Sequence, residues 1–110
     1  MTEDYLREHR RFASMMEQSI RAVNREIMHP IVDPLTEDKV LSVSIEVAKR
    51  RAKYIDLTLQ LGDASENQPS AEELNKARDN YIAARDAFAE LMRTIEQGYV
   101  DLPSKTKKAN

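Results

Sequence analysis

The sequence predicts an all-α fold: an antiparallel, up-down-up bundle of three long helices, at about residues 3–28, 37–61 and 71–97, that dimerises through the second. Three observations predict it. Hydroxyl residues followed by acids recur as helix starts at Thr2-Glu3-Asp4, Thr36-Glu37-Asp38 and Ser70-Ala71-Glu72-Glu73. There the hydroxyl satisfies an orphan backbone donor and the acids complement the helix dipole. Apolar residues then follow at three- and four-residue spacing, and proline or glycine closes each run. Composition agrees: 41% hydrophobic and 33% charged residues suit helices with wet outer faces, and 2 glycines and 4 prolines are too few for a turn-rich β protein.

Helix one carries an expected inward stripe of Tyr5, His9, Phe12, Met16, Ile20, Val23 and Ile27, with Leu6 and Ala13 beside it. It ends at His29-Pro30, because a residue before proline is pushed out of the α region. The connector HPIVDPL is stiffened by two prolines and is partly apolar.

Helix two is the most apolar of the three. Leu41, Ile45, Ala48, Ala52, Ile55 and Leu59 form one stripe, and Val40, Val43, Val47, Tyr54, Leu57 and Leu61 a second. Together they span roughly 240°, against ~100° for an ordinary surface helix. Two neighbours in a bundle do not use that much surface, so self-association through the surplus is the expected outcome. Gly62 is expected to end the helix as a left-handed cap. Within the apolar arc Ser44, Arg51 and Thr58 recur every seven residues. Serine and threonine hydroxyls can bond the helix's own carbonyls. Arg51 needs a carboxylate, a carbonyl, a ligand or water.

The polar stretch GDASENQPS reads as a loop, with Ser70 and Glu73 arranged as a capping box. Helix three alternates large and small residues along one seam, Leu74, Ala77, Tyr81, Ala84, Phe88, Leu91 and Ile95, and Gly98 caps it. Residues 1–98 read as a single domain. Residues 99–110 read as a tail in which Tyr99, Val100 and Leu102 fold back near Ile31 and Val32 and residues 105–110 are disordered.

Several chemistries find no support. Without cysteine there is no disulfide, thiol chemistry or cysteine-held zinc. Glu26 and His29 stand at the spacing of half a dimetal site, but no second pair accompanies them, so neither a metal nor any other cofactor is expected. No serine or threonine has a base nearby and no glycine-rich loop cradles phosphate, so the chain is not expected to be an enzyme. The charged N-terminal stretch is no secretory signal and no apolar run spans a bilayer, which points to a cytoplasmic protein off the membrane.

Two clusters stand out. Packing in register would gather His9, Arg51, Tyr54, Thr58 and Tyr81 beside small alanines, a place for an anionic ligand. Arg7, Arg10, Arg11, Arg21 and Arg25 share one face of helix one and could dock a partner, with Glu3 and Glu17 placed to pair with Arg7 and Arg21. That stripe reads first as a solvated face and second as a docking surface for an acidic protein, and the net charge of −2 argues against wholesale nucleic-acid binding. The leading expectation is a small, acidic, non-catalytic interaction or structural module that forms a homodimer and docks a protein partner. The alternatives are an accessory nucleic-acid binder that uses the arginine stripe, and an anionic-ligand sensor or enzyme around Arg51 and His9.

Overall fold

The computed structural model describes residues 2–64 and 68–103. Those residues hold three α-helices, α1 (Thr2–Met28), α2 (Glu37–Gln60) and α3 (Ala71–Glu96), and no strand. The part of the interhelical loop at residues 65–67 and the tail at residues 104–110, which includes the expected disorder at 105–110, lie outside the described residues.

Helix starts follow the expected chemistry with one exception. The Thr36 hydroxyl accepts from the Lys39 N–H at 3.2 Å, capping α2. At α3 the Ser70 hydroxyl accepts from the Glu73 N–H at 3.0 Å, and the Glu73 carboxylate accepts from the Ser70 N–H at 3.3 Å, a complete capping box. Thr2, by contrast, already lies within α1 rather than capping it.

The helix ends differ more. Gly62 does not take the expected left-handed conformation, and Leu61 before it keeps a right-handed backbone (φ −62°, ψ −30°). Successive N–H groups of Leu61, Gly62 and Asp63 reach the carbonyls of Thr58, Leu59 and Gln60. Bonds over three residues satisfy the terminal carbonyls without a left-handed residue. At α3 the expectation holds: Gly98 has φ 73°. The Tyr99 N–H reaches Thr94 O at 3.1 Å and the Gly98 N–H reaches Ile95 O at 3.0 Å. That pair of bonds is a Schellman motif, which needs a left-handed residue where Gly98 stands.

The chain forms two compact units. One spans Thr36–Arg93, in which α2 packs against α3. Val47 and Ala77 are its buried hydrophobic residues, at 5% and 6% exposure, and Val40, Tyr54, Leu57, Leu74 and Phe88 are half-buried. These side chains follow the three-four spacing of a helix–helix seam. Packing therefore uses one of the two apolar stripes of α2. The other stays exposed, with Leu41, Ile45, Ile55 and Leu59 between 47% and 71% accessible.

The second unit joins residues 2–35 to residues 94–103. Thr94 and Val100 are buried in it, so the chain beyond α3 does fold back. Leu102 and Ile31, expected to pack there too, are exposed. No residue of α1 is buried. Its expected inward stripe is open, from Met16 at 42% to Phe12 at 64% exposure. An apolar stripe records that a helix has a partner surface; it does not record whether that surface belongs to the same chain.

Candidate functional site

Three of the residues expected to form a ligand site, Arg51, Tyr54 and Tyr81, meet between α2 and α3. The Arg51 Nε donates to the Tyr81 hydroxyl at 3.3 Å, and its guanidinium carbon lies 5.3 Å from the centre of the Tyr81 ring. The Tyr54 ring stacks on Tyr81 with centroids 6.1 Å apart and planes at 24°. The Thr58 hydroxyl donates to the Tyr54 carbonyl at 2.8 Å, the self-bonding expected of a mid-helix threonine. A second guanidinium, that of Arg85, lies 5.7 Å from the Tyr81 ring centre. It also pairs with Asp86.

Tyr81 is therefore the centre of this cluster. The hydrogen bond from Arg51, aided by the positive charge of Arg51 and then by Arg85, holds its phenol below the usual tyrosine range, against an opposing push from desolvation. Arg51 finds a hydroxyl and a π face, where a carboxylate, a carbonyl, a ligand or water was expected. Its long stem reaches to the helix edge, so its head stays exposed. The sequence missed Arg85, whose only signal is that it stands four residues after Tyr81, one turn along α3.

His9 belongs to the other unit. Its Nδ1–H donates to the Tyr5 carbonyl at 2.8 Å, one turn back, and its ring lies 4.1 Å from that of Tyr5.

The arginine stripe of α1 divides in two. Arg21 Nε donates to the Gln97 carbonyl at 2.9 Å, and Arg25 donates to the Gly98 carbonyl at 3.1 Å. Both thus cap the end of α3, whose last carbonyls lack partners within the helix. Arg25 also pairs with Asp101 at 3.1 Å. The other Asp101 oxygen accepts from His29 Nδ1–H at 2.6 Å, and its backbone carbonyl accepts from the Leu35 N–H at 2.9 Å. His29 is thus a latch residue at the end of α1. Among the described residues Arg7, Arg10 and Arg11 make no hydrogen bond or ion pair, and the expected Glu3–Arg7 and Glu17–Arg21 pairs do not form. Arg21 prefers the helix-end carbonyl, where the dipole adds to the attraction.

A cleft of about 350 Å³ opens between α2 and α3, lined by Lys49, Arg50, Lys53 and Lys76 together with Leu57 and Ala77. Lys49 and Lys53 lie outside both apolar stripes of α2, and no sequence signal had marked them. Among the described residues no group of three histidine, aspartate or glutamate side chains is placed to hold a metal ion, and no helix is long and apolar enough to cross a membrane. No protein-family model, curated protein or solved structure matches this chain.

Proposed function

We propose that this protein is a non-catalytic helical interaction module, an up-down-up three-helix chain that self-associates as a homodimer. The observation that carries the reading is the second apolar stripe of α2, with Leu41, Ile45, Ile55 and Leu59 left exposed while the first stripe packs on α3. The open face of α1 adds to it. Soluble monomers rarely expose apolar surface in continuous stripes of this length.

Magnitudes favour association. Fully burying a large apolar side chain contributes roughly 1.5–3 kcal/mol, so burying the exposed half of roughly twenty across a dimer contributes about 15–30 kcal/mol. Association costs roughly 4–15 kcal/mol in lost freedom and ordering. The difference accommodates a micromolar dimer, which needs about 8 kcal/mol.

Two contact patterns support the topology. Between α2 and α3, Arg50 meets Asn80, while the later Leu57 of α2 shares the cleft with the earlier Glu73 from the first turn of α3, an order that antiparallel helices give. In the other unit the end of α1 bonds the end of α3, through Arg21 and Arg25. Both are what an up-down-up order produces.

In this reading the protein is cytoplasmic, and Arg7, Arg10 and Arg11 dock an acidic protein partner. The nucleic-acid alternative is weakened, because two of its five arginines are spent on the end of α3. For the anionic-ligand alternative around Arg51, the contacts of Arg51 and Tyr54 with Tyr81 are the support.

Sedimentation velocity over a wide dilution series tests the proposal. The expected result is a dimer that dissociates on dilution, and an Ile45→Lys/Leu59→Lys variant that is monomeric with unchanged helical content. A wild-type chain that stays monomeric at its highest attainable concentration would falsify the self-associating module.

A further inference from the structure

The cleft between α2 and α3 concentrates positive charge in a chain whose net charge is −2. Lys49 and Lys53 stand one turn apart on α2, a like-charge spacing that disfavours the helix, and Lys76 faces the same space from α3. Among the described residues none of these three lysines has an ion-pair or hydrogen-bond partner.

The neighbouring polar groups are already committed. Arg50 is anchored by its Nε bond to Glu46 at 3.2 Å and by its bond to the Asn80 carbonyl at 3.2 Å, so its guanidinium forms a fixed wall. Glu73, the carboxylate lining the cleft, accepts from the Ser70 backbone in the capping box. The lysine charges are therefore left for something that enters from outside.

We propose that this cleft binds a small phosphate-bearing molecule with an apolar body, of about nucleotide size. Its volume of about 350 Å³ lies within the range of small-molecule sites, roughly 300–1,000 Å³. Three ammonium groups on two helices call for an anion with several oxygens and more than one charge, which a phosphoryl group supplies and a single carboxylate does not. Leu57 and Ala77 give the apolar part of the ligand a surface to lie on. Every residue involved lies within Thr36–Arg93, so the site does not depend on self-association.

Calorimetric titration and thermal melting of the full chain, with inorganic pyrophosphate and a nucleoside diphosphate as probes, test the site. Both probes should bind saturably and raise the melting temperature, the nucleoside diphosphate more than pyrophosphate. Lys53→Gln/Lys76→Gln should weaken pyrophosphate binding about tenfold or more, yet melt no lower than wild type without ligand, because like charges have been removed. Should that variant lose helical content, Lys49→Gln carries the same test with a smaller loss. Lys39→Gln, outside the cleft, should bind as wild type does. The proposal is overturned by non-saturable binding, by an equal loss in Lys39→Gln, or by full binding in the cleft variants. It is equally overturned by an RNA oligonucleotide that displaces pyrophosphate with affinity rising with length, which marks a polymer surface instead.

Discussion

The contact between α2 and α3 buries Val47 and Ala77 and stacks Tyr54 on Tyr81, whereas the unit around the end of α3 is closed by polar bonds from Arg21, Arg25, His29 and Asp101. In the first, shape and apolar area decide the partner. In the second, the unsatisfied carbonyls of a helix end select arginine donors, and an aspartate beyond the helix gathers an arginine, a histidine and a backbone N–H. The difference teaches that a stripe of charge on a helix is not by default a solvated face or a docking surface. Part of the α1 stripe is the cap of another helix.

That contrast is broken most severely at Val47. Val47→Asp would put a carboxylate without a partner at the most buried position of the α2/α3 seam. Burying an unpaired charge costs several kcal/mol, a large part of a small domain's stability. The expected outcome is a thermal midpoint lowered by tens of degrees, or loss of cooperative melting, read by circular dichroism. Leu59→Asp, on the exposed stripe of the same helix, should leave the melting of the dilute chain close to wild type. Equal damage from the two would mean that both stripes of α2 are buried in the folded chain.

The helices and most of their ends were legible in the sequence, because caps and periodicity act over one or two turns. Thr36, Ser70 with Glu73, and Gly98 act through bonds to residues at most five positions away, and each does what its residue type suggests. Gly62 misled for a related reason: glycine permits a left-handed end, but bonds over three residues served as well. Contacts over greater distance were less legible. The pairing of Arg51 with Tyr81 spans 30 positions and that of Arg25 with Asp101 spans 76. Arg51 and Tyr81 were expected in one cluster, but as joint neighbours of an anion rather than as partners of each other, and Arg25 was assigned to a stripe facing solvent or an external partner. The cleft lysines were invisible because their meaning lies in Lys76 facing Lys49 and Lys53 across two helices, which no single-helix pattern contains.

Gly98→Ala probes the polar unit with a smaller effect. A Cβ added there would lie 3.8 Å from Arg21 Cδ, an ordinary contact, so sterics between side chains are not at issue. The cost comes from the backbone, since φ 73° is left-handed. A non-glycine residue pays about 1 kcal/mol for that conformation. The expected result is a drop in thermal midpoint of a few degrees, with faster amide exchange at Tyr99 and Leu35, whose N–H groups bond Thr94 and Asp101. Unchanged exchange at Leu35 would separate the Asp101 latch from the glycine cap.

The mildest test addresses Tyr81 in the apolar unit. Its phenol is held below the usual range of about 10, first by the Arg51 hydrogen bond. A lowered folded-state pKa means that the folded protein favours the phenolate. Its contribution to stability is therefore full only above the unfolded value and is lost as pH falls through the folded value. Absorbance titration should show a tyrosine step below the usual range, and Tyr81→Phe should remove it. Arg51→Met should delay it, while leaving the smaller influence of Arg85 in place. If Arg51→Met has no effect on the titration, then the guanidinium acts through its packing on the ring rather than through its bond to the hydroxyl.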